Sequence, residues 1–291
     1  MESIESKIMV FILWRMNMKR SIDRYFKKAE FEKEKSQTPS KKVRSKVHIE
    51  TEQFMGRDVI TMRPKTSVNK AQILYFHGGA YIYGIKNFHY NFALRLIQST
   101  GCTVIMPDYP LAPNQSAAEV YNMALTLYQR LSDDKTAEQI ILMGDSSGGG
   151  IALGLAQYLR DHGIRQPDKI ILLSPWLDVT MSNPDIKNMD KSDPVLGING
   201  LITAGSAYAK DWDRKDYRVS PIYGEFRGLS DIYLFISTHD LLYPDARNFS
   251  EIMQQKGIAL KYHEYPGLFH DWMLFDLPES QSVLEHISEA F

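Results

Sequence analysis

From residue 46 to residue 291, short apolar segments with strand character alternate with longer amphipathic segments of helical periodicity. Two of these strands, 46–54 and 57–63, flank the turn Met55-Gly56 and are predicted to form an antiparallel hairpin. The other predicted strands are 72–76, 103–106, 139–143, 169–173, 232–237 and 259–264, and the predicted helices are 88–99, 116–131, 149–162, 245–256 and 279–290. Because a helix between two strands lets the chain return in parallel, this order predicts an α/β fold with a mostly parallel sheet covered by helices on both faces.

One stretch interrupts the alternation. Residues 176–215 are irregular with helical patches, and we interpret them as an insertion into the main domain. Ligands of parallel sheets bind at the carboxyl ends of the strands. The insertion is therefore predicted to cover a site at that edge.

The net charge of −1 hides an uneven distribution along the chain. Residues 1–48 carry 13 Lys and Arg against 6 Asp and Glu, a net +7, and the remaining residues carry 21 against 29, a net −8. An acidic body argues against nucleic acid as a partner. The single cysteine, Cys102, excludes an intrachain disulfide framework and a cysteine-based zinc cluster, and it fits a reducing compartment. We expect a cytoplasmic protein, and the sequence indicates neither a metal nor a cofactor.

The basic N-terminal segment, residues 1–45, is predicted to contain helices and a linker ahead of the main domain at 46–291. Apolar positions at helical spacing predict one or two amphipathic helices over 3–34, and the polar stretch 33–46 is predicted to be the linker. The most apolar run, 8–14, is far shorter than the ~20 residues of a membrane-spanning helix, and its flanks do not fit a cleaved signal peptide. The amphipathic helix at 3–34 either packs on the main domain or lies on a membrane surface. We favour packing, because amphipathic helices mostly bury their apolar stripe against their own protein.

The sequence Gly144-Asp145-Ser146-Ser147-Gly148 lies between a predicted strand and a predicted helix. This is the G-x-S-x-G pattern of a nucleophile elbow, in which a sharp turn exposes the serine hydroxyl at the edge of the sheet. Gly144 and Gly148 lack the Cβ atoms that would collide where strand and helix approach closely. No lysine follows as in a phosphate-binding loop, and the glycine spacing is not that of a dinucleotide-binding loop. The remaining alternative is a glycine-rich turn with an incidental serine.

A second glycine-rich segment, His77-Gly78-Gly79-Ala80, directly follows another predicted strand. Successive glycines let backbone N–H groups point to one place without obstruction by side chains. We predict that the N–H groups of Gly78, Gly79 and Ser147 form an oxyanion hole. His77, at the end of a strand, is predicted to brace the loop rather than to transfer protons.

Together, HGGA and GDSSGG resemble the signature of the hormone-sensitive-lipase-like family of α/β-hydrolase carboxylesterases, whose members carry HGGG and GDSAGG. Three further segments match in the same order: DYPLAP at 108–113 is similar to the family's DYRLAPE, SPWLD at 174–178 to its SPWLD, and DPVL at 193–196 to its DPxL. The resemblance covers residues 46–291. Ala80 and Ser147 depart from the pattern but keep a small side chain and a backbone N–H. Pro110 and Asn114 stand where the family's DYRLAPE has arginine and glutamate, so this charged pair is absent.

The resemblance implies a catalytic triad in the chain order serine, aspartate, histidine. It assigns the nucleophile to Ser146, the acid to Asp240 and the base to His270, the last two in loops that follow predicted strands. Asp271 is the closest competitor for the acid. A sequence neighbour of a histidine, however, rarely orients its imidazole well.

The resemblance also implies a helical cap built from the N-terminal helices and the insertion. The residues expected to contact the substrate are Ala80, Tyr81, Phe11, Trp14, Ile198 and Leu201, of which the last four would line an acyl pocket. The implied activity is the hydrolysis of small esters with short acyl groups through an acyl-enzyme. Two alternatives stay open: a deacylase of amides or metabolites with the same triad, and a non-catalytic receptor of the same fold, which would lack the catalytic histidine. The sequence leaves the oligomeric state open, with a homodimer as one option.

Overall fold

The structure is a computed structural model that describes residues 2–28, 35–66, 69–134 and 137–291. Within these residues the strands are β1 (Val47–Phe54), β2 (Arg57–Pro64), β3 (Ala71–Phe76), β4 (Thr103–Pro107), β5 (Gln139–Asp145), β6 (Lys169–Leu173), β7 (Asp231–Ser237) and β8 (Leu260–Tyr265). They form one sheet in the order β1-β2-β4-β3-β5-β6-β7-β8. β2 is antiparallel to β1 and to β4, and the other neighbouring pairs are parallel. The predicted α/β fold with a mostly parallel sheet is confirmed.

Helices precede the sheet and connect its strands. They are α1 (Ile4–Met16), α2 (Ser21–Lys28), α3 (Lys41–Lys46), α4 (Asn87–Thr100), α5 (Ala117–Asp133), α6 (Ser147–Asp161), α7 (Ile186–Met189), α8 (Ile198–Ala209), α9 (Tyr243–Gln255) and α10 (Pro278–Ser288). The two helices α7 and α8 lie in the stretch that the sequence indicates as an insertion.

The central strands of the sheet are buried on both faces: successive side chains of a strand point to opposite sides, and each side meets a core. In β3, Leu74 belongs to the core that also contains residues of α5, α6 and α9. Its neighbour Ile73 belongs to the second core, which contains residues of α4 and α10. A strand covered on both faces appears in the sequence as a continuous apolar run, and this explains why the pattern located the parallel strands well.

The predicted linker at 33–46 contains a helix, so that prediction is wrong for residues 41–46. The Ser40 hydroxyl accepts a hydrogen bond from the backbone N of Val43 at 3.3 Å and caps the start of α3. Val43 is completely buried. One apolar residue in a six-residue helix produces no periodicity, and the sequence pattern therefore missed it. Residues 29–34, which belong to the predicted N-terminal helices and linker, lie outside the described residues.

The first helix, α1, packs on the protein, but not with the side that carries Phe11 and Trp14. Ser6 and Leu13 are buried, whereas Phe11 and Trp14 are 65% and 43% exposed. The prediction that Phe11 and Trp14 line an acyl pocket is therefore corrected: both side chains face solvent. The physical reason is helical geometry: Phe11, two positions before the buried Leu13, lies on the opposite side of the helix, and Trp14, one position after it, lies about 100° around the helix.

The N-terminal segment also reaches the insertion. After a left-handed residue at Asn17 (φ 52°), α2 packs against α8, and Ile22 lies beside Gly200. An ion pair joins Lys19 to Asp190 at 2.9 Å. On α8, Leu201 is buried and Ile198 is half-buried. In the described part of the chain, no helix combines the length and the hydropathy that crossing a bilayer requires.

Candidate active site

Ser146 stands at a sharp turn between β5 and α6. Its backbone has φ 50° and ψ −120°, a conformation that is strained for a residue with a side chain. A Cβ atom on Gly148 would lie 1.9 Å from the backbone oxygen of Phe76, and one on Gly144 would lie 2.3 Å from the backbone of Gly148. Glycines at these two positions therefore allow strand and helix to meet closely enough to hold Ser146 in this turn.

A Gly148→Ala substitution tests this packing. Its new methyl would meet backbone rather than a movable side chain, so we expect the free energy of unfolding to fall by more than about 3 kcal/mol. The thermal midpoint should then fall by more than about 6 °C. The control is Gly56→Ala, where φ is +76° but no atom lies within 4 Å of the added Cβ. It should cost only about 1 to 2 kcal/mol of left-handed strain. Equal losses in the two variants would contradict this account.

Three side chains from separate loops form one hydrogen-bonded chain. His270 Nδ1 lies 2.8 Å from Asp240 Oδ2, and His270 Nε2 lies 2.9 Å from Ser146 Oγ. All three residues are at most 5% exposed. With the hydrogen on Nδ1, the imidazole donates to Asp240 and accepts from the Ser146 hydroxyl. The structure thus brings together the three residues that the resemblance selects.

The loops that carry Asp240 and His270 are tied to each other. The Ser237 hydroxyl donates to the backbone oxygen of Leu268 at 2.5 Å, and the backbone N of Gly267 donates to the Thr238 hydroxyl at 3.0 Å. The backbone N of Leu242 donates to Asp240 Oδ1 at 2.9 Å and leaves Oδ2 to face the imidazole. These contacts fix the carboxylate and the imidazole relative to each other.

The structure corrects one of the three N–H groups predicted for the oxyanion hole. The backbone N–H of Gly78 donates to Asp145 Oδ2 at 2.9 Å and so has no hydrogen for a ligand. The N–H groups of Gly79 and Ala80 have no acceptor among the described residues. Ser147 is the first residue of α6, where an N–H group has no partner within the helix. The available set is therefore Gly79, Ala80 and Ser147, and the sequence analysis missed the N–H of Ala80.

Asp145, beside Ser146 in the elbow, is the buried carboxylate that engages Gly78. It also accepts a hydrogen bond from the Tyr75 hydroxyl and pairs with His89 Nε2 at 3.4 Å. Burial alone would raise the pKa of Asp145, but the contacts with His89 and Tyr75 outweigh it and lower this pKa below its usual range. Asp145 thus stays ionised and holds the start of the glycine-rich loop.

His77 lies in the same loop but has no hydrogen bond to Ser146. Its ring stacks on Tyr109 with centroids 4.2 Å apart, and its Nδ1 contacts the backbone oxygen of Gly78 at 2.8 Å. Burial lowers the pKa of His77 to about 3, so the ring stays neutral. These contacts are those of a side chain that braces the loop.

Two further carboxylates lie close to the triad. Asp271 Oδ2 is 3.0 Å from His270 Nε2, the nitrogen that also faces Ser146. Asp193, from the DPVL segment, accepts a hydrogen bond from the backbone N of Leu241 at 2.8 Å and thereby joins the insertion to the Asp240 loop. Burial raises the pKa of Asp271 to about 7 and, together with Asp240, that of Asp193 to about 6. Sequence reasoning considered Asp271 only as a rival acid and gave Asp193 no role.

A cluster of stacked aromatic side chains begins in the glycine-rich loop. Tyr81, in the left-handed conformation at φ 63°, stacks on Tyr208 of α8 with centroids 3.6 Å apart and on Trp176 at 5.4 Å. Its backbone N lies 3.4 Å from the Ser147 hydroxyl. Ala80 and Tyr81 therefore lie beside the elbow, as a role in substrate binding requires. A surface cavity of about 720 Å³ between α7 and α9 contains none of the three triad residues.

Comparison with known proteins finds esterases among both the sequence relatives and the solved structures. The sequence model of the alpha/beta hydrolase fold family matches residues 73–274. An esterase from Acinetobacter venetianus is 30% identical over 221 residues, which cover 75% of this chain and 73% of that protein. An ethyl acetate hydrolase from Pseudomonas putida is 28% identical over 228 residues, covering 76% and 70%. A crystal structure from Staphylococcus aureus, described as a candidate esterase, superposes with a TM-score of 0.86 at 28% identity and covers 93% of this chain and 92% of that one. The chain therefore belongs to the hormone-sensitive-lipase-like family of carboxylic ester hydrolases with the alpha/beta hydrolase fold.

Proposed function

We propose that this chain is a serine esterase that hydrolyses small carboxylic esters with short acyl groups through an acyl-enzyme on Ser146. The observation that carries the proposal is the hydrogen-bonded chain from Asp240 through His270 to Ser146, at 2.8 and 2.9 Å. Nucleophile, base and orienting acid in this order are the arrangement that acyl transfer requires. The His270 side chain also argues against the alternative of a non-catalytic receptor.

In the first half of the reaction, Ser146 Oγ attacks the ester carbonyl while His270 Nε2 takes the hydroxyl proton. The carbonyl oxygen becomes negatively charged as the tetrahedral intermediate forms. In this proposal the N–H groups of Gly79, Ala80 and Ser147 donate to this oxygen. The carbon–oxygen bond of the ester then breaks, and the alcohol leaves with the proton from His270.

The second half repeats these roles with water as the nucleophile. His270 Nε2 takes a proton from water, whose oxygen attacks the acyl carbon bound to Ser146. The same backbone N–H groups stabilise the second intermediate. Its collapse releases the carboxylic acid and returns the proton to Ser146 Oγ, while Asp240 keeps the imidazole in one orientation throughout.

A preference for short acyl groups follows from the cover over the site. Ser146 is 5% exposed, and Tyr81, whose backbone N lies 3.4 Å from the Ser147 hydroxyl, has its ring stacked on those of Tyr208 and Trp176. A long acyl chain would have to displace several buried aromatic side chains. The relative named as an ethyl acetate hydrolase, a protein that acts on a two-carbon acyl group, supports the same size class.

The test is a series of p-nitrophenyl esters from acetate to palmitate, together with an acetyl amide. We expect kcat/KM to be highest for acetate or butyrate and to fall steeply for longer chains. An activity that rises steadily towards palmitate would contradict the size preference. An amide cleaved faster than the matched ester would contradict the ester assignment.

The pH dependence should show the effect of Asp271. Burial alone would lower the pKa of His270, but the carboxylates of Asp240 and Asp271 outweigh it and raise this pKa well above its usual value. A base works only when it is unprotonated, so a raised pKa moves the acidic limb of the kcat/KM profile to higher pH. We expect Asp271→Asn to shift that limb to lower pH by about one to three pH units, because one of the two charges is removed.

The control for this variant is Asp276→Asn, five residues further along and exposed to solvent. It should leave the limb in place. Asp193 and Asp145 are the other carboxylates whose charges act on His270 or Asp271, and both variants retain them. A limb that does not move in Asp271→Asn would show that Asp271 does not act on the base.

A further inference from the structure

The exposed apolar side chains of this protein are concentrated on α1. Eight large apolar side chains stand out as exposed in the described residues, and six of them lie on this helix. The six are Ile4, Ile8, Phe11, Ile12, Trp14 and Met16, with exposed fractions from 43% to 74%. The other two, Met55 and Tyr223, lie far from each other in the sequence. A single helix that carries most of these exposed large apolar side chains indicates an interaction site.

The helix is held in this orientation from its other side. The backbone N of Ser3 donates to Glu279 Oε1 at 2.6 Å, and the Ser6 hydroxyl donates to Glu279 Oε2 at 2.8 Å. Leu13 is buried in the core that also contains Leu268 and Phe269 from the His270 loop. The protein therefore fixes the inner face of α1 and leaves the apolar outer face without a partner in the chain that the structure describes.

Positive charge accompanies the apolar face. Ile4, Ile8, Phe11 and Arg15 are spaced so that they follow one side of the helix. Lys7 and Arg15 on α1 are exposed, as is Glu5 in its first turn, and the exposed Arg20 and Arg24 follow the helix. The first 48 residues carry a net charge of +7, opposite to the −8 of the body. An exposed apolar helix in a segment of net positive charge is suited to the plane of an anionic lipid surface.

We propose that α1 docks this protein on an anionic lipid surface. The apolar face enters the boundary between headgroups and acyl chains, and Lys7 and Arg15 contact lipid phosphates. A second copy of the chain fits the face less well. In a two-fold pair the same patch meets itself, which would bring together two segments that both carry a net positive charge. The lipid surface offers the complementary charge. The proposal concerns binding and does not depend on the proposed function.

The test uses the full chain with sedimenting vesicles of phosphatidylcholine, with and without phosphatidylglycerol. We expect binding to the anionic vesicles and a loss of binding as salt is raised. A variant that combines Ile8→Ser and Ile12→Ser should bind at least about tenfold more weakly, because apolar area drives the insertion. The matched control, Met55→Ser with Tyr223→Ser, removes exposed apolar side chains elsewhere and should bind as the wild type does. Both variants should hydrolyse a water-soluble ester at the wild-type rate, which shows that they are folded.

Trp14 provides a second readout at the proposed surface. It is 43% exposed, whereas Trp176 and Trp272 are fully buried. Tryptophan emission should shift to shorter wavelength on anionic vesicles, and this shift should disappear in Trp14→Phe. No binding to anionic vesicles, or equal binding by the Ile8/Ile12 variant, would overturn the proposal. A dimer in vesicle-free solution that the Ile8/Ile12 variant dissociates would assign the face to a second copy instead.

Discussion

Replacing Ser146 with alanine should lower kcat for a short-chain ester by about 10⁶-fold. Oγ is the atom that would bond to the acyl carbon, and no neighbouring hydroxyl lies at the same hydrogen-bond distance from His270 among the described residues. The backbone N–H groups would remain and leave a small residual rate above that of water. The measurement is the hydrolysis of p-nitrophenyl acetate by purified variant and wild type at matched concentrations.

A second buried serine gives the control for this variant. Ser174 follows β6 and is completely buried, and its hydroxyl has no hydrogen-bond partner in the described residues. Ser174→Ala should keep kcat within about tenfold of the wild type, because the hydroxyl has no role in the proposed reaction. Near-normal activity in folded Ser146→Ala would exclude Ser146 as the nucleophile.

Replacing Asp240 with asparagine should lower kcat by about 10⁴-fold. The amide keeps the shape of the carboxylate, but its NH₂ group would face His270 Nδ1 and favour the tautomer with the hydrogen on Nε2. That hydrogen would then point at Ser146 and prevent the imidazole from taking the hydroxyl proton. The loss of charge would also remove the group that stabilises the imidazolium in both half-reactions.

The Asp271→Asn variant distinguishes the effect of a carboxylate at His270 Nε2 from the effect of the Asp240 carboxylate at His270 Nδ1. Asp271 touches the same imidazole as Asp240, but at the nitrogen that faces Ser146. At a pH above its acidic limb this variant should keep kcat within about tenfold of the wild type. If Asp271→Asn lost as much activity as Asp240→Asn at that pH, the assignment of the orienting acid to Asp240 would be wrong.

The sequence predicted the fold and the site best where a segment is both buried and subject to a local backbone requirement. The run 140–143 is apolar, as suits a strand that is covered on both faces, and the elbow that follows needs glycine at 144 and 148 to bring strand and helix together. These constraints are local and leave a clear pattern. The chain order and the family resemblance then led to Asp240 and His270, whose spacing along the chain carries no signal by itself.

The oxyanion loop shows where local pattern was insufficient. Gly78, Gly79 and Ala80 all offer a backbone N–H, and the sequence does not tell which of them face Ser146. The outcome depends on φ values of 122° at Gly79 and 53° at Ala80, and on a carboxylate 67 positions away that engages Gly78. Only the three-dimensional arrangement shows that Asp145 takes the first N–H of the loop.

The N-terminal helix gives a second example. An apolar stripe in the sequence indicates that a helix will be amphipathic, but α1 is apolar on most of its circumference. Ser6 and Leu13 face inward because the hydroxyl of Ser6 reaches Glu279 and the core accepts Leu13. Phe11 and Trp14 are left outside. Which face of α1 is buried depends on the surface against which the helix packs. Other parts of the chain form that surface, so the N-terminal sequence alone does not determine the face.

The central claim is that Ser146 carries the acyl group, and a fluorophosphonate probe followed by peptide mass analysis tests it most directly. The probe mimics the tetrahedral intermediate and bonds only to a serine that its histidine activates. We expect one adduct per chain, on the peptide that contains Ser146, with labelling absent in Ser146→Ala and strongly slowed in Asp240→Asn. An unlabelled wild type, or an adduct on any other residue, would contradict the account.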